Sequence, residues 1–233
     1  MQLNALLTGS LKPLGTDGIT SGIDKQAVDH PLYLSRSGFA SDRQADLKHH
    51  GGTSKAVHHY PMDHYGLWKQ EIGSHAIFDR PGAFGENIST YGLTEADVAI
   101  GDTFRLGGAI VAVSQTRQPC WKLNIRFDCA DMAKRVQKTA RTGWYYHVIE
   151  EGTVSPQDEL VLLDRPQAQW PLTRLWTLLY VDTMNADELS ALANLPLLPE
   201  NIRNLACRRL ESRQTESWNK RLFGERTEDN QTI

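Results

Sequence analysis

Apolar and polar positions divide the chain into two unlike parts. From the N-terminus to about residue 164 the apolar runs are short and strand-like. Residues 1 to 40 are rich in Gly, Ser and Asp with brief apolar pieces, beginning with Leu3 to Leu7, and predict short strands and turns. Lys55 to Tyr60 predicts a strand. Pro61 then opens a predicted helix in which Tyr60, His64, Leu67, Trp68 and Ile72 recur at helical spacing, with Gly73 as its stop. A loop rich in Gly and Pro follows from Asp79 to Asn87. Val98 to Ile100, Thr103 to Leu106 and Ala109 to Ser114 predict three strands, the last two joined by a Gly107-Gly108 hairpin. Residues 116 to 124 read as irregular, because Pro119 cannot donate to a ladder. Asp128 is the predicted cap of a helix carrying Cys129, Met132, Ala133 and Val136 on its apolar stripe, and Asp131 favours its N-terminal dipole. Trp144 to Ile149 and Glu159 to Leu163 predict two more strands.

Beyond Asp164 the period becomes helical, with apolar groups around Leu175 to Leu179, Leu189 to Ala193 and Ile202 to Leu210. Asn185 with Glu188 resembles a capping box. The pattern predicts a mainly β domain with helices over residues 1–165, a small three-helix unit over 168–212, and a polar, frayed tail over 213–233.

Composition narrows the function classes. The chain has 233 residues, 40% hydrophobic and 23% charged, which suits a globular protein. A net charge of −3 gives no overall field that draws nucleic acid or an anionic membrane. A modest basic excess over residues 200 to 226 leaves a helical DNA-binding module as a rival reading. No apolar run approaches the ~18 residues of a membrane helix, and no signal peptide is visible, so a cytoplasmic location is expected. Cys120, Cys129 and Cys207 form no Cys-x-x-Cys, which fits a reduced chain without structural zinc.

Cys120 stands in Gln118-Pro119-Cys120-Trp121-Lys122. A buried small hydrophobe is one reading. The other is a reactive thiol, favoured by Arg117 and Lys122 nearby and by a loop that follows directly on a strand. Cys129 and Cys207 read as core residues on helix faces. Gly51-Gly52-Thr53-Ser54-Lys55 offers backbone N–H groups, hydroxyls and a cation suited to a phosphate, without the spacing of a P-loop. The pairs His49-His50 and His58-His59 invite a metal reading, but neighbours on a strand point to opposite faces and cannot chelate together. In Phe84-Gly85-Glu86-Asn87, Gly85 permits close backbone approach to a ligand, and Asn87 offers donors and an acceptor.

In order along the chain, these segments resemble one family. Asp42-Arg43-Gln44-Ala45-Asp46, His50-Gly51-Gly52 with Lys55-Ala56-Val57, and Tyr60-Pro61 resemble the opening motifs of MOSC-domain proteins. Phe84-Gly85-Glu86-Asn87, Gly92-Leu93, Gly101-Asp102-Thr103 and Gln115-x-Arg117-x-Pro119-Cys120 with Lys122-Leu123 continue the pattern. The three-helix unit is similar to the 3-alpha domain of the YiiM subgroup. The resemblance implies a β-barrel-like domain that binds the molybdenum cofactor, with Cys120 as the thiolate ligand to molybdenum. It implies Arg43, His50, Gly51, Gly52, Lys55, Gly85, Asn87, Arg117 and Lys122 as contacts to the pterin and its phosphate. A weaker family-level association is with pyridoxal phosphate.

The pattern departs at Ser41, where the family often has Gly; a left-handed backbone there would strain a serine. By resemblance the expected activity is reduction of N-hydroxylated compounds such as hydroxylaminopurine bases, with Asp42, His50 and Glu86 as unranked candidates for proton delivery. The alternative is a non-catalytic carrier of cofactor or sulfur through Cys120. With no G-x-G-x-x-G fingerprint and no cysteine cluster, electrons are expected from a separate reductase docking near Cys120. The helical unit, taken as unnecessary for the cofactor site, is one expected docking surface.

Overall fold

The computed structural model describes residues 1–16, 18–45, 51–73 and 75–224. Its strands are β1 (Ala5–Thr8), β2 (Lys12–Leu14), β3 (Ile19–Ser21), β4 (Gln26–Ala27), β5 (Leu32–Ser35), β6 (Gly38–Phe39), β7 (Val57–Pro61), β8 (Ile88–Thr90), β9 (Thr103–Leu106), β10 (Ala109–Thr116), β11 (Trp144–Glu150), β12 (Gly152–Val154) and β13 (Leu160–Asp164). Helices α1 (Asp63–Ile72), α2 (Lys122–Arg126) and α3 (Met132–Thr139) decorate them. Helices α4 (Leu172–Tyr180), α5 (Ala186–Ala193) and α6 (Glu200–Ser212) form the helical unit, and α7 (Asn219–Phe223) follows.

An eight-stranded mixed sheet in the order β13-β9-β10-β11-β7-β8-β1-β4 curls into a half-barrel. Only the β7–β8 pairing within it is parallel. β9 and β10 form the expected hairpin, with Leu106 opposite Ala109 and Gly107 at φ 57. One apolar cluster runs from the sheet, through Val111, Val113 and Tyr146, into the helical unit at Leu172, Leu175 and Leu192. A second cluster of Tyr60, Trp68, Phe78, Phe84, Phe127 and Met132 fills the space under α1, α2 and α3. Asn185 caps α5 by accepting the Glu188 N–H at 3.2 Å, as its spacing implied.

Several local expectations need correction. Val98 to Ile100 makes a single bridge, Ala99 opposite Pro171, instead of a strand, and the buried Asp102 carboxylate accepts the Ala99 N–H at 2.9 Å while Arg165 clamps Asp102 from outside. Pro61 ends β7 rather than opening α1, since it still pairs with Thr90 of β8. Asp128 sits in a left-handed turn at φ 47, and α3 begins only at Met132. Cys129 is therefore half-buried in that turn, with its Sγ 3.4 Å from Asp131, and Cys207 is exposed on α6. The supposedly frayed tail includes α7, whose Leu222 is buried.

Candidate functional site

The segment after β10 leaves the sheet at Thr116 and carries Arg117, Pro119 and Cys120 across the end of the half-barrel. Arg117 keeps one backbone bond, from its N–H to Gly143 O at 3.1 Å, and Cys120 O then receives the Leu123 N–H as α2 starts. Here an open cleft encloses ≈ 560 Å³ of non-protein space, solvent at its mouth included. Cys120, Arg117 and Lys122 line one side, Gly85 and Phe84 another, and Ser21 to Ile23 with Gln44 and Ala45 a third. His58 and Tyr145 also line it. They are cross-strand partners on β7 and β11, with rings 5.0 Å apart.

Two glycines shape these walls. Gly85 adopts φ 78, and a Cβ there would stand 2.9 Å from Ile23. At Gly22 a Cβ would lie 1.8 Å from Arg43 O, so the strand-end segment and the Asp42 loop can meet only at glycine. Ser41 has no positive φ, so the strain its type threatened is not present.

Behind the cleft, two buried carboxylates hold the loops. Asp42 accepts the Gly9 N–H at 2.8 Å, the Lys25 ammonium at 2.7 Å and the Asn87 amide at 3.0 Å. Glu86 accepts from the Tyr65 hydroxyl, from Gly82 N–H at 2.7 Å and from Phe84 N–H at 3.1 Å. Asn87 spends both amide protons on Leu7 O and Asp42, and its oxygen receives the His58 N–H at 3.0 Å. It is a bracket behind the wall, and not a lining residue.

Burial, reinforced by the nearby positive charges of Arg117 and Lys25, pushes the His58 pKa well below the usual imidazole value. Burial likewise lowers Lys25, with Asp42 opposing, and raises the Tyr145 phenol. At neutral pH, His58 is therefore a neutral imidazole and Tyr145 a protonated hydroxyl. Among the described residues, Arg117 Nη1, His58 Nε2 and Gln44 Oε1 are buried without a hydrogen-bond partner. An orphaned guanidinium nitrogen is costly, and an anionic acceptor would satisfy it best.

Of the residues expected at the site, Cys120, Arg117, Lys122 and Gly85 meet in the cleft. Lys55, at the end of a single 3-10 turn, stands at its margin with its ammonium 5.9 Å from the Tyr145 ring centre. Gly51 and Gly52 precede that turn; Gly52 is exposed at φ 95 and open to solvent. Arg43 is exposed and contributes its backbone. His50 lies outside the described residues. His59 faces away, bonded to Tyr146 and Thr90 at 3.0 and 2.8 Å. The sequence did not single out Lys25 or Tyr145, and it gave His58 no part in the cleft. Only the β7–β11 register and the Gly22 contact bring these three together.

The stretch after α6 folds back, and Arg221 of α7 donates to Pro119 O at 2.6 Å beside Cys120.

The curled β half-barrel is of the MOSC kind, and residues 46–161 match the MOSC domain family model. The chain belongs to that family. Its helical unit is of one particular kind, because residues 170–213 match the YiiM-like 3-alpha helix domain.

Protein YiiM of Escherichia coli is 47% identical over 150 residues, covering 64% of this chain and 66% of that one. Its crystal structure superposes with a TM-score of 0.78 over 96% of this chain and all of that one. A protein of Gibberella moniliformis named "Reductase" is 36% identical over 180 residues, or 77% of this chain and 32% of the fungal one. The chain thus spans about two thirds of the first of these relatives and one third of the fungal protein. MOSC domains are associated in general with molybdenum cofactor binding. No helix among the described residues is long and apolar enough to cross a membrane.

Proposed function

We propose that the protein is a molybdenum-cofactor-dependent reductase of N-hydroxylated compounds, hydroxylaminopurine bases among them, supplied with electrons by a separate reductase. One observation carries the reading: Cys120 shares a cleft with Arg117, whose buried Nη1 has no partner among the described residues. A phosphate-bearing pterin dithiolene is an anion, so it supplies the acceptor this one nitrogen lacks, and a thiolate is a soft ligand suited to molybdenum. The residues present therefore fit the group. When bound, it supplies two-electron chemistry, R–NH–OH plus two electrons and two protons giving R–NH₂ and water.

The chain's own residues divide the remaining work. Arg117 and Lys122 offset negative charge on the Cys120 side. Gly85 lets the opposite wall come close, and Phe84 gives that wall an aromatic face. His58 and Tyr145 offer neutral hydrogen-bonding groups for a planar ligand. Asp42 and Glu86 are fully engaged with internal donors and act as scaffolding, not as proton donors.

The test is elemental analysis of wild type beside Cys120→Ser, both expressed where the cofactor is made. We expect molybdenum near one per chain in the first and a several-fold deficit in the second. Equal molybdenum in both sinks the ligand assignment. Loaded protein that fails to turn over an N-hydroxylated base with a competent reductase makes it a carrier.

A further inference from the structure

The stretch 214–224 follows the residues matched to the 3-alpha domain, and the proposed function gives it no task. Its contacts converge on the cysteine loop. Residues 117–121 run outside the ladder, so their backbone groups need partners from elsewhere. The carbonyl just before Cys120, that of Pro119, accepts from Arg221 Nη1 at 2.6 Å. The N–H just after it, that of Trp121, donates to Arg221 O at 2.8 Å. Both backbone groups flanking Cys120 are thus bonded to one residue. Next to this pair, Asn124 donates to Leu222 O at 2.8 Å.

Arg221 is itself held. Its second nitrogen donates to Gln137 Oε1 at 2.6 Å, and its guanidinium lies 5.3 Å from the centre of the Tyr180 ring. The strap is anchored to the helical unit through Arg209, which is 1% exposed and grips both oxygens of Glu216 at 3.0 and 2.7 Å. Arg209 also donates to the carbonyls of Leu178 and Leu179. Trp218 donates to Glu216 at 3.0 Å and meets the Tyr180 ring edge-on. A continuous set of contacts therefore runs from α4 and α6 to the loop that carries the thiol.

We propose that Arg221 is a positioning residue for Cys120, and that the strap at 214–224 is how the helical unit sets the shape of the cysteine loop. The proposal deepens the proposed function. It rests on that reading only for what the loop is held ready to bind.

The test uses the full chain in a host that makes the cofactor. Arg221→Ala and Arg221→Met, the second keeping an apolar stem near Tyr180, are compared with wild type and Arg221→Lys. Hydrogen exchange over 117–124, molybdenum per chain and the thermal midpoint are read together. Loss of a charge-assisted bond should speed exchange at 117–124 by about tenfold in the Ala and Met variants. Molybdenum should fall several-fold, while the midpoint moves by only a few degrees. Arg221→Lys should recover much of the molybdenum, since it keeps a charged donor on a long stem beside Pro119 O. Unchanged exchange and molybdenum in Arg221→Met overturns the proposal. So does a molybdenum loss that merely tracks global unfolding, or no recovery with Lys. If Arg221→Ala does not fold, Arg221→Met decides. Faster exchange alongside a wild type that carries no molybdenum upholds the positioning role and removes the cofactor reading instead.

Discussion

Lys25 and Asp42 form an ion pair at 2.7 Å with only 4% and 6% of their side chains exposed. Removing the two partners should not be equivalent. Asp42→Ala leaves a buried ammonium whose one hydrogen-bonded carboxylate is gone, and it also orphans the Gly9 N–H and one Asn87 proton. Breaking a buried pair from one side costs about 3–5 kcal/mol. Lys25→Met leaves Asp42 still accepting from Gly9 and Asn87, at 2.8 and 3.0 Å, and should cost clearly less.

The two variants also separate in pH dependence. Burial already holds the Lys25 pKa below 10.5 in the folded protein. Between the folded value and 10.5 the unfolded chain binds more protons, so this group makes stability rise with pH in that window. Losing Asp42 depresses the folded value further and widens the window downward. The Asp42→Ala deficit should therefore be smaller at a pH approaching 10.5 than at a pH well below the folded value, where Lys25 keeps its charge. Urea unfolding of wild type and both variants at the two pH values measures this. An Asp42→Ala deficit below about 1 kcal/mol, or one that does not narrow with pH, refutes the argument.

Two further outcomes are expected. Burial holds His59 at a pKa of about 3 against 6.5 in water, so the unfolded chain takes up a proton first as pH falls through 6.5. His59 should alone account for about 2 kcal/mol of stability lost between pH 7.5 and 5; in His59→Gln that part of the acid slope should vanish, and an unchanged slope counts against the assignment. Gly22→Ala places a Cβ 1.8 Å from Arg43 O and should destabilise by about 3 kcal/mol or more, with the Asp42 loop displaced; a Tm within a degree of wild type shows that the contact is soft.

The sequence announced the site where its chemistry is local. Cys120, Arg117 and Lys122 are near neighbours in the chain, and Gly85 stands in a loop whose composition marks it. The helical unit was legible from its period, and Asn185 from its cap. Lys25 was not, because it enters the site only through the close passage of Gly22 beneath Arg43. His58 looked like half of a pair, and Tyr145 like any strand aromatic, until the register set them side by side. The strap was illegible for another reason. Much of its grip uses the carbonyls of Arg221 and Leu222, which no side-chain pattern encodes.

β7 carries His58 and His59 on opposite faces, one lining the cleft and the other sealed in the core. Its register is pinned from both sides, antiparallel to β11 and parallel to β8, with His59 opposite Trp144 and Ile88. A slip of one residue along either neighbour would exchange the two imidazoles and turn the strand inside out. The doublet therefore behaves as a single address. Swapping the order of two identical residues changes nothing on paper, yet each position tolerates a different set of replacements. Variation at 58 is open to tuning what the cleft admits, whereas variation at 59 is judged by whether the chain folds.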